Sequence, residues 1–443
     1  MPNRKIAFFL VLSIPFAFAL YLGWRTPATV LRPPADSVRA GGPLTAAAAA
    51  TPADPCAGRV QDKLPRAVAP LPLPAKLVPY TDPAFSTTVT RITDAPPSDG
   101  ENAVIVPMYS TMQAWNADET RLVLYHRGKG HELYDGQTYQ YLKLLNLVSP
   151  SDIEVLLWDP WQPRYLYYPS NYNAEPKIYI HDVETNVSYV WMDLAAMGHC
   201  PVSWAAKLNL GSDPSGVSFA TYEPTVGMRC GDKTLIVNLY RKTVIPLTWG
   251  GGVTVAPMLA PGGQRFFYEA TLAGLSYDVF WGAPRALNMA QSWEHGSVGM
   301  AGQALNAWYG ADFNSSSPGM VVRTNLETAE RKVVVGQANG WGFPPSTTHI
   351  SGMTSNVGWL AASAVGDPQV WGTVPLAGEI IWANSDTGTV CRVAQHRSLA
   401  GEGGPWGYWS EPHVTISPSG TRAVFGSDWG GGAAVNTYVV DLR

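Results

Sequence analysis

Three histidines stand at matching places in a repeated strand–turn–strand pattern. His295 opens the stretch WEHGSVG, His349 opens THISG and His413 opens EPHVTIS. They lie seven, seven and five residues ahead of turn anchors at Gly302, Asn356 and Pro418. The chain has only eight histidines, so three at equivalent sites is a concentration of chemistry. Glu294 and Glu411 flank two of them, and Gln113 stands five residues before a further turn at Asp118. Imidazoles that converge with a carboxylate or amide oxygen can bind a divalent transition metal such as Mn, Zn or Fe. Alternatively, one neutral histidine acts as a general base while its neighbours position an acidic substrate. The third reading is structural, with the rings hydrogen-bonded to backbone groups between repeats. His126 and His131, with Tyr109 and Tyr134, form a second acid–base group, although His126 next to Arg127-Gly128 also reads as a solvent-facing strand end.

Tryptophan is abundant, and Trp293, Trp341, Trp406, Trp409 and Trp429 fall in loops or at strand entrances. Such indoles either fill gaps between packed sheets or offer flat faces to sugars. Trp406 and Trp409, in the Gly-rich stretch GEGGPWGYWSEPH before His413, are the candidates for sugar contact. Other chemistry is missing from the sequence: no Gly-x-Ser-x-Gly elbow, phosphate loop, His-Glu-x-x-His helix, Cys-x-x-Cys pair or Asp-rich calcium loop. Asn186-Val187-Ser188 and Asn314-Ser315-Ser316 are glycosylation sequons.

The elements that carry these residues repeat along the chain. Turn anchors recur at Asp118, Pro160, Pro214, Pro261, Gly302, Asn356 and Pro418, spaced by roughly 40–60 residues, which is the period of a four-stranded repeat. The last unit is the clearest. His413 to Ser417 alternates, Pro418-Ser419-Gly420 turns, Arg422 to Ser427 is a strand and Asn436 to Leu442 is another. The third unit places its turn at Pro214, within LNLGSDPSGVSFATYE. Phe85 to Asp94 (FSTTVTRITD) reads as a strand that adds to the outer edge of the last unit and closes a ring, which removes an open sheet edge.

Composition agrees with many short strands. Charged residues make up 14%, with 43 Gly, 37 Pro and 17 Trp, too few charges for a helical protein. With 30 basic and 34 acidic residues the net charge is −4, which gives no electrostatic footprint for nucleic acid. Residues 1–24 read as a signal peptide or an uncleaved anchor: Arg4 and Lys5 precede the apolar run Ile6 to Tyr21, with a small-x-small site at Ala17-Phe18-Ala19. Residues 25–79 are Pro- and Ala-rich and read as a semi-extended spacer. Residues 80–443 hold the repeats. Either N-terminal reading places the bulk of the chain outside the cytoplasm, periplasmic or secreted, with any membrane contact confined to that segment. In an oxidising compartment four cysteines can pair in three ways. Cys200 with Cys230, and Cys56 with Cys391, is the preferred arrangement. Buried free thiols are the alternative.

This pattern resembles a β-propeller of the TolB or WD-repeat kind, and implies an all-β, seven-bladed propeller of four-stranded antiparallel blades. In that architecture the first strand of each blade lines the central channel, so His295, His349 and His413 gather at its mouth. The His-bearing strands are similar to those of the propeller-fold polysaccharide lyases, the oligogalacturonate and ulvan lyases. That resemblance implies a metal held by His295, His349 and His413, with Gln113 near it. Thr415 stands where the family places a second histidine two residues on. It also implies elimination on an acidic, uronate-containing polysaccharide, with a metal or arginine at the substrate carboxylate and a base at C5. A non-catalytic propeller that binds a partner protein or a glycan, like the enzyme a monomer, is the reading from the other class.

Overall fold

The computed structural model describes residues 54–443 except 98–99, 151–152, 171–175, 201–208, 211–223, 231–232, 248–257, 261–264, 269–274, 279–283, 287–295, 303, 313–319, 343–347 and 400–405. The sequence readings that fall on residues 1–53, and the turn at Pro214, lie outside the described residues.

Every described sheet is antiparallel, and in all but the closing sheet neighbouring strands follow chain order, an up-and-down arrangement. The first blade is Ile105–Val106, Arg121–His126, Gly130–Asp135 and Tyr141–Leu144. The sixth is Thr348–Ser351, Trp359–Ala364, Glu379–Asn384 and Val390–Gln395. The expectation of seven four-stranded blades is corrected by the strand count. Six sheets are four-stranded, and the C-terminal unit belongs to a sheet of five. There Thr415–Ile416, Arg422–Ser427 and Asn436–Asp441 are joined by Thr88–Arg91 and then by Pro79–Thr81. Thr88–Arg91 pairs with Asn436–Asp441 from Thr88↔Asp441 to Arg91↔Tyr438, so the N-terminal part of the chain closes the ring on the C-terminal strand. The fifth strand is the addition the repeat pattern did not show, because Pro79-Tyr80-Thr81 is too short to alternate. In the third blade the second strand is Thr225–Cys230.

Large side chains fill the wedges between sheets. Trp115, Trp308 and Trp382 are fully buried, and Trp382 Nε1–H donates across to Gly420 O. Trp308 needs close backbone beside it, since a Cβ on Gly310 or Gly296 would overlap its ring. The ring closure carries a buried ion pair. Arg422 of the closing sheet meets Glu119 of the first blade and also donates to Gly136 O and Tyr139 Oη.

The Pro-rich stretch that reads as a spacer is, over its described part, a strap bound to the propeller. Disulfides join Cys56 to Cys391 and Cys200 to Cys230, the preferred pairing. Beyond Cys56, Val60 bridges Arg392, whose Nη1 donates to Leu64 O. Arg397 Nη1 then holds Ala69 O and Trp429 Nε1 holds Leu71 O. Proline removes backbone donors but leaves the carbonyls free to accept such bonds, a use that composition alone does not show.

Three buried histidines tie the fold to pH. Burial holds His131, His181 and His396 down to about 4, from an ordinary value of 6.5. At His396, Nε2–H donates to Ala364 O and Nδ1 accepts from the Ser398 N–H, so only the neutral ring serves both partners. The folded values lie below the unfolded one, so the unfolded chain takes up protons first. Stability is full above about pH 6.5 and is lost as pH falls toward about 4, on the order of 3 kcal/mol for each group. Urea unfolding should therefore show a loss of several kcal/mol between about pH 7 and about pH 5, and His396→Gln should reduce the loss. Equal stability at both values would contradict the buried-neutral assignment.

Candidate active site at the channel mouth

His349 lies on the first strand of the sixth blade, where it pairs with Ser363. His413 precedes the first strand of the closing sheet by two residues and adopts a left-handed backbone, φ 41°. That turn is fixed on both sides. Gly426 N donates to Pro412 O, and Thr415 Oγ1 donates to Tyr109 O. Glu411 follows the single helical turn Gly407–Ser410, and its N–H bonds back to Tyr408 O. The two sheets are pinned together at this level, because Ile416 N donates to Ser351 Oγ.

The result is a compact cluster. His349 Nε2 is 2.7 Å from Glu411 Oε2, and His413 Nε2 is 3.5 Å from the same oxygen. The two imidazoles meet edge to face with centroids 4.3 Å apart. Their nitrogens and the carboxylate oxygen lie within 4.8 Å of one another, the described His/Cys/Asp/Glu group that could hold a metal ion. Both histidines are buried, while the Glu411 side chain keeps 13% exposure toward solvent. Burial pushes the Glu411 carboxyl up, but the hydrogen bonds and charge of His349 and His413 prevail and hold it well below the usual range. Glu411 is therefore the acceptor and His349 Nε2–H the donor.

Aromatic rings wall the cluster. Tyr109 sits 5.4 Å from His349 and 5.0 Å from His413, centroid to centroid. Tyr408 covers His413 at 4.7 Å, and its hydroxyl donates to Glu154 Oε1. The site thus combines two imidazoles, an ionised carboxylate and two phenols, a set suited to binding a cation and moving protons.

The other expected residues are placed as follows. His295, with Glu294 and Trp293, lies outside the described residues. Gln113 does not open the first strand of its blade, which is Ile105–Val106; it lies in the connection to Arg121–His126, and its amide serves the backbone. Nε2 donates to Met353 O and Ile416 O, and Oε1 accepts from Trp115 N. It joins the first blade to the sixth and to the closing sheet. His126 does not face solvent; it is buried between Glu132 Oε1 at 2.7 Å and Asn102 O at 2.9 Å. His131 bonds Ile153 O, and Tyr134 donates to Glu132. Trp409 is stacked on Tyr125 with Arg127 over its ring, and Trp406 Nε1 donates to Gly432 O. Trp341 is buried. Glu411 was visible in sequence only as a flank of His413, and Tyr408 only as part of an aromatic loop. A donor two residues from His413 is present after all, on the N-terminal side.

No family model matches the chain, and no curated protein does. Solved structures do. An oligogalacturonate lyase in complex with manganese superposes with a TM-score of 0.53 at 14% identity, covering 83% of this chain and 96% of that one. The oligogalacturonate lyase of Vibrio parahaemolyticus gives 0.52 at 13% identity with the same coverage. The chain is a β-propeller, and it is similar in fold to these lyases.

The bonding pattern gives Gln113 a structural role. Replacing it by Leu should lower stability by about 2 kcal/mol, the worth of its lost backbone bonds; urea unfolding of the variant checks this, and an unchanged stability would contradict the role.

Proposed function

We propose that the protein is an exported lyase that cleaves uronate-containing polysaccharide, with a divalent metal held by His349, Glu411 and His413. The observation that carries the proposal is the meeting of these three groups where the first strand of the sixth blade faces the segment leading into the closing sheet, in a propeller similar in fold to the lyases above. The donor set fits a metal. Bonds of about 2.1 Å to a common ion place ligand atoms about 3–3.5 Å apart, close to the 3.5 Å between His413 Nε2 and Glu411. His413 Nε2 is moreover buried with no polar contact closer than its long 3.5 Å approach to Glu411 among the described residues, a weakness that an ion would remove. A bound Mn, Zn or Fe would neutralise the substrate carboxylate and so acidify the neighbouring C5 proton.

The chain's own groups supply the rest. Glu411 orients the His349 ring and contributes negative charge. Tyr109, against both imidazoles, is placed to take the C5 proton as a phenolate, its hydroxyl proton lost to solvent beforehand; the C5–H electrons form the C4–C5 double bond, the C4–O bond breaks and the leaving oxygen takes a proton from water. Tyr408 shields the cluster from water and is held by Glu154. Export is part of the proposal: paired cysteines belong to oxidising compartments, and the N-terminal apolar run reads as an export segment.

A non-catalytic propeller binding a protein or glycan is the second reading. It is favoured by one feature, the near-complete burial of both imidazoles, which would then clamp the two sheets through Glu411.

Incubating the full chain with oligogalacturonate or other uronate polymers should produce the ultraviolet absorbance of an unsaturated uronate. Chelator should abolish it and manganese restore it. Tyr109→Phe should lower kcat by about a hundredfold or more with KM little changed. No product from any uronate polymer, with manganese present, would favour the binding propeller.

A further inference from the structure

The connections that carry Glu411 also build a second site. In an up-and-down blade, the loop between strands two and three and the loop leaving strand four emerge at the same end as the start of strand one. Trp371 lies in the first kind of loop of the sixth blade, Arg397 in the second kind, and Trp429 in the corresponding loop of the closing sheet. With Val68, Leu71 and Pro72 of the strap they line a cavity of about 430 Å³. It shares a face with the histidine cluster and lies one loop away. Gly430 N donates to Arg397 O, Ser398 Oγ to Ser410 O, and Gly426 N to Pro412 O, so the three loops touch in sequence up to Glu411.

The cavity is apolar except for one charge. Arg397 is only 7% exposed, with its guanidinium carbon 5.3 Å from the Trp429 ring centroid. Nη1 is used on Ala69 O. Nε and Nη2 make no hydrogen bond of normal geometry among the described residues; the Tyr80 hydroxyl and Asp82 lie near the guanidinium and act on it. Asp82 directs its oxygens to the N–H groups of Ala84, Phe85 and Gln395 rather than to Arg397. A buried guanidinium with unused donors is costly, and a carboxylate is the group whose geometry matches it. One face of Trp429 stacks on Tyr438. Trp371 is half-buried, fixed by its Nε1 bond to Val365 O.

We propose that this cavity is a second sugar subsite that takes a carboxylate-bearing residue of the polysaccharide. Arg397 pairs with the carboxylate and the Trp371 indole packs on the sugar's apolar face, while Trp429, covered by Tyr438 and Arg397, backs the guanidinium. The inference rests on the uronate reading of the substrate. It adds that a chain crossing this face is held at a point distinct from the histidine cluster.

The test is calorimetric titration of the full chain with a galacturonate hexamer and, in parallel, with a neutral hexasaccharide. The hexamer should bind more tightly than the neutral sugar, and added salt should weaken it. Arg397→Gln, which removes a charge-assisted hydrogen bond, and Trp371→Ala, which removes an indole face, should each weaken it by about tenfold. Because Arg397 also anchors the strap, Trp371→Ala provides the variant that leaves this anchor intact. His349→Ala/His413→Ala should retain most of the binding. Unchanged affinity in both Arg397→Gln and Trp371→Ala, or no preference for the anionic sugar, would overturn the subsite. A chain that binds as expected yet forms no unsaturated product keeps the subsite and removes the lyase reading.

Discussion

Ring closure is the constraint on which the site depends. A row of sheets joined only through their neighbours leaves two open edges and no fixed centre. Pairing Thr88–Arg91 onto Asn436–Asp441 removes the edge at the C-terminal strand, and the Arg422–Glu119 pair locks the closing sheet against the first blade. Gln113 completes the lock at the channel, bonding Met353 O and Ile416 O from two different sheets. His349, His413 and Tyr109 come from the three units that these bonds join. Their contact is a consequence of closure, since no local segment contains more than one of them.

Much of this was legible in the sequence. Turn anchors such as Asn356 and Pro418 marked the strands correctly, because Pro, Gly and Asn specify turns by backbone geometry rather than by context. His349 and His413 followed from their place ahead of those turns. The closing strand near Thr88 and the disulfide partners were also readable. What was not legible was the allocation of hydrogen bonds. Gln113 lies beyond the first strand it was expected to open, and its amide is consumed by two backbone carbonyls contributed by distant sheets. His126 looked like a strand end facing solvent, but Glu132 and Asn102 enclose it. Spacing gives a residue's place on a strand; only the packed neighbours decide what its polar atoms meet.

The strap shows the same limit. A Pro- and Ala-rich stretch has no periodic apolar face and reads as a spacer. Its carbonyls nevertheless receive bonds from Arg392, Arg397 and Trp429, and the Cys56–Cys391 disulfide fixes its start. Its proline rings then wall a cavity beside a guanidinium with unused donors. Sequence reasoning weighed tryptophans for sugar binding in the loop before His413. In the structure Trp409 is enclosed by Tyr125 and Arg127, while the indoles that border open space are Trp371 and Trp429.

The central claim is that His349, Glu411 and His413 form a divalent metal site. Anomalous diffraction at the manganese edge, from crystals of the full chain grown with manganese, tests it most directly. The account predicts one strong peak within about 2.3 Å of His349, His413 and Glu411 atoms, absent from crystals of His349→Ala/His413→Ala. No peak there, with the His349–Glu411 hydrogen bond intact, would contradict the account and leave the cluster as a clamp between two sheets.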